Sequence, residues 1–298
     1  MSGWRAPALL ALALGSSSCA PAKALAPPPR HPGVAEELLP PDLDLVVRID
    51  VAKLRRTLGP DALARATPFA DGAVTRALAA ATSVWLGFHG PPAGDRSDVV
   101  VVARGDFAGL DPTTELEASP SSGWRELGRE PASRLYARAP GAARAAPVWM
   151  LVEGDRVLVV ASAAEVDAVE RAVRATSPRA LEAPADGVVG VAARYRALAP
   201  AFARRFPELA SVLADAKTAR ATLDADGGVL RFDVALAFVA ESAAARGETV
   251  LRAWSKALGG ESGLAGALGR AAEVARPSRI DVVVRVRIDA NALRDATR

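Results

Sequence analysis

Histidine and cysteine, the side chains that most often carry metal or nucleophilic chemistry, are scarce in this sequence. Its 298 residues include two histidines, His31 and His89, and a single cysteine, Cys19. A structural zinc site needs about four nitrogen or sulfur ligands, so this inventory excludes one. The motifs G-x-S-x-G, S-x-x-K, H-E-x-x-H and the phosphate-binding P-loop are also absent. The sequence therefore predicts no catalytic residue, no metal and no cofactor, and it leans away from an enzyme.

Two segments look like chemical sites but fit turns better. Residues Asp224–Gly227 begin like a calcium-binding loop, yet the segment runs into a strand pattern at Val229 with no later ligand. Asp and Gly at these positions favour a tight hairpin turn instead. His89 precedes Gly90-Pro91-Pro92 and is expected to be a turn residue rather than a catalytic base.

A local group of arginines is the candidate binding surface. Its members, interleaved with aromatic residues, are Arg194, Arg196, Arg204 and Arg205. Such a group could contact anionic lipid or polysaccharide, and a solvated helix face is the alternative. The whole chain carries 37 basic and 34 acidic side chains, so its pI of 9.4 reflects a small excess of arginine. No nucleic-acid partner is expected from this balance.

The N-terminal residues have the pattern of an export signal. One cation, Arg5, precedes the apolar run Ala6–Leu14, and small polar residues follow up to Cys19. The apolar run is much shorter than the roughly 20 residues that a transmembrane helix needs. Residues 1–18 are therefore predicted to be a signal peptide.

This leader resembles that of a bacterial lipoprotein precursor, in which a small-residue motif ends at a cysteine that is lipidated and becomes the mature N-terminus. Cys19 follows Ser18 at that position, although Ser16 stands where the family pattern has Leu. The resemblance implies lipidation of Cys19, a membrane partner through that lipid, and a location in the cell envelope, periplasmic or outer-membrane associated. An ordinary secreted protein, cut after Ala24 or Ala26, is the alternative.

The rest of the chain divides into a tether and a body. Proline recurs through residues 19–41, which favours an extended tether. The body, residues 42–298, has enough apolar residues for a substantial core. Clustered Pro and Gly at 176–187 divide the body into the predicted halves 42–180 and 181–298.

Strand and helix patterns alternate along this body. Runs rich in Val, Ile or aromatic residues predict eight strands: Leu45–Asp50, Val84–Phe88, Val99–Arg104, Val148–Val152, Val157–Ala161, Val188–Ala193, Val229–Val239 and Ile280–Ile288. Hairpin turns are expected at 153–156 and 224–228. Helical periodicity predicts four helices: 72–80, 163–175, 197–216 with a break at Pro207, and 243–258. We expect an α+β fold of mainly antiparallel sheets with helices packed on one face.

An internal similarity suggests that the two halves are related. Val47–Arg55 and Val286–Arg294 share Val, Arg, Ile, Asp, Leu and Arg at matching positions, and Val191–Leu198 is a weaker copy. The shared aspartates, Asp50 and Asp289, are predicted N-caps of the following helices. The body loosely resembles exported bacterial proteins of unknown function built from duplicated α+β halves.

These features favour a non-enzymatic, lipid-anchored envelope protein with a binding or scaffold role, possessing a protein partner in the envelope. One alternative is a carrier that holds an apolar ligand in a cavity between helices and sheet. Another is a hydrolase whose carboxylates come from distant segments of the chain.

Overall fold

One twelve-stranded antiparallel sheet forms the body of the protein. The computed structural model describes residues 35–58, 79–90, 99–107, 124–130, 133–138, 149–153, 157–174, 181–194, 207–289 and 292. The strands are β1 (Leu45–Asp50), β2 (Ala81–Phe88), β3 (Val99–Gly105), β4 (Trp124–Glu130), β5 (Ser133–Arg138), β6 (Trp149–Glu153), β7 (Val157–Ala161), β8 (Val189–Arg194), β9 (Ala216–Asp226), β10 (Val229–Phe238), β11 (Ala272–Ala275) and β12 (Asp281–Asp289). Their order across the sheet is β11-β12-β10-β9-β8-β1-β2-β3-β7-β6-β5-β4.

Helices lie between the strands in the chain and pack on the sheet. They are α1 (Val51–Leu58), α2 (Val166–Arg174), α3 (Pro207–Leu213), α4 (Glu241–Gly259) and α5 (Gly263–Ala271), with 3-10 turns at Ala35–Leu38 and Ala163–Glu165. None of the helices in the described residues combines the length and the apolar content needed to cross a membrane. The predicted α+β class, with an antiparallel sheet and packed helices, is confirmed.

All eight predicted strands are present. The proposed hairpins correspond to the antiparallel pairs β6–β7 and β9–β10, although residues 154–156 of the first turn lie outside the described residues. The second turn sits at Gly227 and Gly228, whose φ angles of 56° and 80° suit glycine. Because this segment is a two-residue hairpin, the calcium-loop interpretation is not needed.

The predicted helices are shorter or shifted in places. The helix expected at 197–216 is described only as α3, and Ala216 already begins β9. Most of the helix expected at 72–80 lies outside the described residues. The glycine-rich segment after residue 259 forms α5, where a Cβ at Gly269 would overlap the backbone of α4 at Gly259. Small residues therefore let α5 pack closely on α4.

The two faces of the sheet are covered differently. On the face that carries Leu45, Val191 and Leu236, here called the front face, α1, α3 and α4 contribute to the cores. On the back face, which carries Val46 and Val102, the chain from 35 to 44 and α2 cover the first half of the sheet. Helices thus pack on one face of the second half, as expected, and on both faces of the first.

The strand order is the same on the two sides of the central β1–β8 pair. Moving outward, β1-β2-β3-β7-β6 corresponds to β8-β9-β10-β12-β11. In this scheme β1 corresponds to β8, which carries the weaker sequence copy, rather than to β12, which carries the stronger one. The sequence repeat therefore does not follow the topology, and the relatedness of the two halves stays a prediction.

Asp50 acts as the N-cap of α1, and Asp289 accepts a similar contact at the end of β12, although only Ala292 of the helix predicted after Asp289 lies within the described residues. The amide of Lys53 donates to Asp50 Oδ1 at 2.8 Å, and the amide of Ala292 donates to Asp289 Oδ1 at 3.4 Å. Both contacts span three residues, as expected for an N-cap carboxylate. These aspartates have a structural role at the two corners.

Candidate functional site

Part of the back face is not packed against any helix or core cluster of the described residues, and we call it the open face. It consists of the back-face side chains of four strands: Thr218, Arg220, Thr222 and Asp224 on β9, Val229, Arg231, Asp233, Ala235 and Ala237 on β10, Glu273 and Ala275 on β11, and Asp281, Val283, Arg285, Arg287 and Asp289 on β12. None of these residues is buried. On the front face of the same strands, Leu236, Phe238 and Val282 are at most 5% exposed.

The alternation of residues along the strands produces this difference. Successive strand side chains point to opposite faces, so Val282, Val286 and Ile288 enter the core while Arg285 and Arg287 emerge on the open face. The front face packs against α3 and α4. The open face therefore carries charged side chains of these strands, of which Arg220, Arg231 and Arg287 are exposed and Asp233 and Arg285 are half-buried.

Four arginines lie on the open face: Arg220, Arg231, Arg285 and Arg287. Arg231 and Arg287 are direct cross-strand partners, and Arg285 is directly opposite Asp233. Among the described residues, no carboxylate oxygen lies within 4.0 Å of the guanidinium groups of Arg220, Arg285 or Arg287. Like charges placed opposite each other in a sheet are unfavourable, so this arrangement suits an external anion.

Two carboxylates near these arginines, Asp224 and Asp233, differ in their hydrogen bonds. Asp224 Oδ1 forms a 2.6 Å ion pair with Lys53 Nζ and accepts the amide of Ala225 at 2.9 Å. The hydrogen bond from Lys53 is the main reason that the pKa of Asp224 lies below its ordinary value, and the charge of Arg231 adds to this effect against an opposing effect of burial. Asp233 Oδ1 is buried and accepts no hydrogen bond from the described residues.

A second polar cluster lies at one end of the strands β1, β2 and β8. The Nε2 atom of His89 is 3.3 Å from the buried carboxylate of Glu165 and 3.9 Å from Asp42. Arg194 Nη1 lies 3.6 Å from Asp44 Oδ1 and donates to the carbonyl oxygen of Asp42 at 3.2 Å. These contacts connect the segment before β1 to the end of β8, and the end of β2 to the turn that precedes α2.

The residues proposed from the sequence fall partly within the described structure. Arg194 forms an ion pair with Asp44 and a hydrogen bond to the carbonyl oxygen of Asp42, so its guanidinium group stabilises the fold at this point. Arg196, Arg204 and Arg205 lie outside the described residues, as does Cys19. The proposed contact of the arginine group with an anionic surface, and the lipidation of Cys19, stay predictions.

Sequence reasoning missed the arginines of the open face. Their signal is visible as alternation, since Arg285 and Arg287 alternate with Val284, Val286 and Ile288. However, Arg220, Arg231 and Arg287 are far apart in the chain, and only the strand order brings them onto neighbouring strands. Local clustering pointed instead to the arginines between residues 194 and 205.

A groove between α3 and α4 is the described feature nearest to the predicted ligand cavity. It has a volume of about 500 Å³, and its lining includes Val212, Ala245, Arg246, Thr249 and Val250. Arg246 at this groove pairs with Asp215 at 2.7 Å. The groove opens to solvent and combines apolar and charged side chains. In the described part of the chain, no three His, Cys, Asp or Glu side chains form a group that could hold a metal ion.

Comparisons with known proteins add a distant structural likeness. No family model matches the chain, and no curated protein matches it. Solved structures of the Treponema protein TP0453 in crystal forms I, III and IV align with 87% of this chain and with 94%, 96% and 94% of theirs. Their sequence identity is 12%, and the TM-scores are 0.46, 0.48 and 0.49. A likeness at this level carries no conclusion about function.

Proposed function

We propose that this is a non-enzymatic protein of the cell envelope, held to a membrane by lipid on Cys19, that binds through its open face. The sequence supports the anchor, since Cys19 ends a short leader and precedes a proline-rich tether. The open face supports the binding role. It is a solvent-accessible sheet surface that presents four arginines and no histidine or cysteine.

The observation that carries the binding role is that no described helix or core cluster packs on the open face. The open face carries carboxylates as well as arginines. The directly opposed Arg231 and Arg287 nevertheless concentrate positive charge at one point on adjacent strands. Arg285 stands beside them on β12. A surface of this kind suits a partner that carries negative charge.

The anchor is tested by replacing Cys19 in the exporting cell and separating membranes in buffer of about 0.5 M salt, which screens contacts between exposed charges. We expect Cys19→Ala to move the protein into the soluble fraction and to abolish incorporation of labelled fatty acid. Ser18→Ala, which keeps a small residue before the cysteine, is the matched control and should stay on membranes. A Cys19→Ala protein that keeps its label or its membrane association at high salt would contradict the proposal.

A carrier of an apolar ligand is the second candidate, because the groove between α3 and α4 includes Val212 and Val250. Its volume of about 500 Å³ is within the range of small-molecule sites. Native mass spectrometry decides between the candidates. A co-purifying mass that leaves on denaturation would favour the carrier, and a bare polypeptide mass would favour the open face as the binding surface.

A further inference from the structure

We infer that the open face lies against the anionic lipid headgroups of the membrane that holds the anchor, so that arginine contacts orient the body on that membrane. The inference rests on the proposed lipid anchor at Cys19. Beyond the anchor, it states which surface contacts the membrane, which lipids that surface binds and how the body is oriented on the bilayer. The partner is the phosphate-bearing surface of anionic phospholipid, which guanidinium groups bind through charge and hydrogen bonds.

The first argument is the charge on the open face. Arg220, Arg231, Arg285 and Arg287, together with Lys53 beside Asp224, place five cations on or next to it. Three of the five carboxylates on this face already have partners: Asp224 pairs with Lys53, Asp281 accepts the hydroxyl of Ser278 and Asp289 accepts the amide of Ala292. The face as a whole carries mixed charge, and its positive charge is concentrated locally, where Arg231 and Arg287 are opposed and Arg285 lies on the same strand as Arg287.

The second argument is the opposition of Arg231 and Arg287. Directly opposed residues of antiparallel strands have Cβ atoms about 5 Å apart, so the two guanidinium groups repel each other across the strands. On its other side, Arg231 is directly opposite Asp224 of β9, which already forms an ion pair with Lys53. A phosphate group between the two arginines would offset their mutual repulsion and could accept hydrogen bonds from each.

The third argument is the point at which the chain enters the body. Leu38, Leu39 and Leu43 are buried on the back face, beside Trp85 of β2. This is the same face of the sheet that becomes the open face beyond β8. Neighbouring strands are about 4.8 Å apart, so only about 10 Å separates β1 from β9. The anchor is thus connected to the body on the face that presents the arginines.

The chain between anchor and body limits their separation. Fifteen residues lie between Cys19 and Ala35, and a fully extended chain of this length spans at most about 58 Å. The body is consequently held near the bilayer surface, where a weak electrostatic contact acts at high effective concentration. Such a contact is sufficient to orient the body, because the lipid supplies the membrane affinity.

The open face is suited to headgroups rather than to acyl chains. The exposed large apolar side chains among the described residues include Phe232, which lies on the front face of β10. The open face itself carries Val229, Ala235, Ala237, Ala275 and Val283 as its apolar residues, and none of them is an aromatic anchor. The contact should therefore be electrostatic and sensitive to salt.

The test uses the mature-length chain, residues 20–298, without an acyl group, so that the lipid anchor does not contribute. It retains every described residue. Binding is measured by flotation with vesicles of phosphatidylcholine alone and with vesicles that also contain about 30% phosphatidylglycerol, at low salt. We expect binding to the anionic vesicles alone, and at least a tenfold loss of that binding in the variant Arg231→Gln/Arg287→Gln.

The matched control is Arg246→Gln/Arg252→Gln, which removes the same charge from α4 on the opposite side of the sheet. It should bind anionic vesicles within about twofold of the unchanged chain. Both double variants have the same net charge, so a difference in binding between them does not come from non-specific attraction by net charge. Thermal unfolding of all three proteins checks that they are folded. Binding should fall as salt rises to about 0.5 M.

Several results would overturn the inference. These are no binding of the unchanged chain to anionic vesicles, equal binding to both vesicle types, or equal losses in the two double variants. Inhibition of vesicle binding by millimolar inorganic phosphate would support phosphate recognition by the arginines. If the vesicles do not bind while an acidic protein or polysaccharide does, the partner chemistry is wrong. None of these results affects the anchor, which the Cys19→Ala fractionation tests separately.

Discussion

The two halves of the sheet place similar strands in different surroundings. In β3, Val99 to Ala103 are all buried, so both faces of this strand are inside the protein. In β12, Val282, Val286 and Ile288 are buried, whereas Arg287 is exposed on the other face. The comparison shows that the back face changes from core to open surface within one continuous sheet.

The cause of the change is the path of three chain segments. Residues 35–44, helix α2 and the linker 181–187 lie on the back face of the first half. Arg48 Nη1 holds the linker by donating to the carbonyl oxygen of Ala185 at 2.7 Å. A Cβ at Gly190 would overlap the carbonyl oxygen of Pro184, so glycine is what allows the linker to lie so close to β8. Beyond β8 the described helices pack on the front face.

The sharpest test of this difference uses the same substitution on the same face in each half. Val102 on β3 is fully buried, and Val283 on β12 is partly exposed. We expect Val102→Ala to lower the free energy of unfolding by about 2 kcal/mol, because it leaves a cavity in a packed core. Val283→Ala should cost less than about 0.5 kcal/mol. Chemical denaturation followed by circular dichroism measures both, and equal losses would show that the open face is packed.

The strands made of uninterrupted apolar residues were the easiest part of the fold to predict. Runs such as Val99–Val102 are apolar without interruption, which fits a strand that is buried on both faces. The strands β4 and β5 were missed because Trp124–Glu130 and Ser133–Arg138 are mostly charged or polar. β11 has only four residues, Ala272–Ala275, which is too short for a periodic pattern.

The helix boundaries and the site were harder, for different physical reasons. Ala216–Asp226 is rich in Ala, and the sequence pattern predicts its first residue as the end of a helix. Pairing with β8 and β10 makes this segment a strand instead. Pro207 begins α3, which is the position in a helix where proline is best tolerated. The open-face arginines could not be grouped from sequence, because strand order is a long-range property.

The ion pair between Lys53 and Asp224 lies at the boundary between the covered and the open parts of the back face. Lys53→Met should lower the free energy of unfolding by about 1 kcal/mol at pH 7, since both side chains are less than one third exposed. Lys53 is the main cause of the lowered pKa of Asp224. The stabilisation is thus present above the unfolded pKa of about 4 and is lost as pH falls through the lower folded pKa.

Unfolding of the Lys53→Met variant and the unchanged chain should therefore be compared from pH 7 down to about pH 2. The difference in the free energy of unfolding between the two proteins should narrow only as the pH falls below the unfolded pKa of Asp224. Lys256→Met, at an exposed position on α4, is the matched control and should change little at any pH. A difference that is constant with pH would mean that Lys53 stabilises the protein by packing rather than through the charge of Asp224.

The smallest expected effect concerns the opposed arginines themselves. Arg287→Gln removes a like charge directly across from Arg231, so we expect the free energy of unfolding to rise by a few tenths of a kcal/mol at low salt. The gain should disappear at about 0.5 M salt, where exposed charges are screened. Arg252→Gln instead breaks an ion pair with Glu248 and should lower stability by a similar amount. If Arg287→Gln were destabilising at low salt, the two arginines would be satisfied within the fold, and the open face would lose its reason to bind an anion.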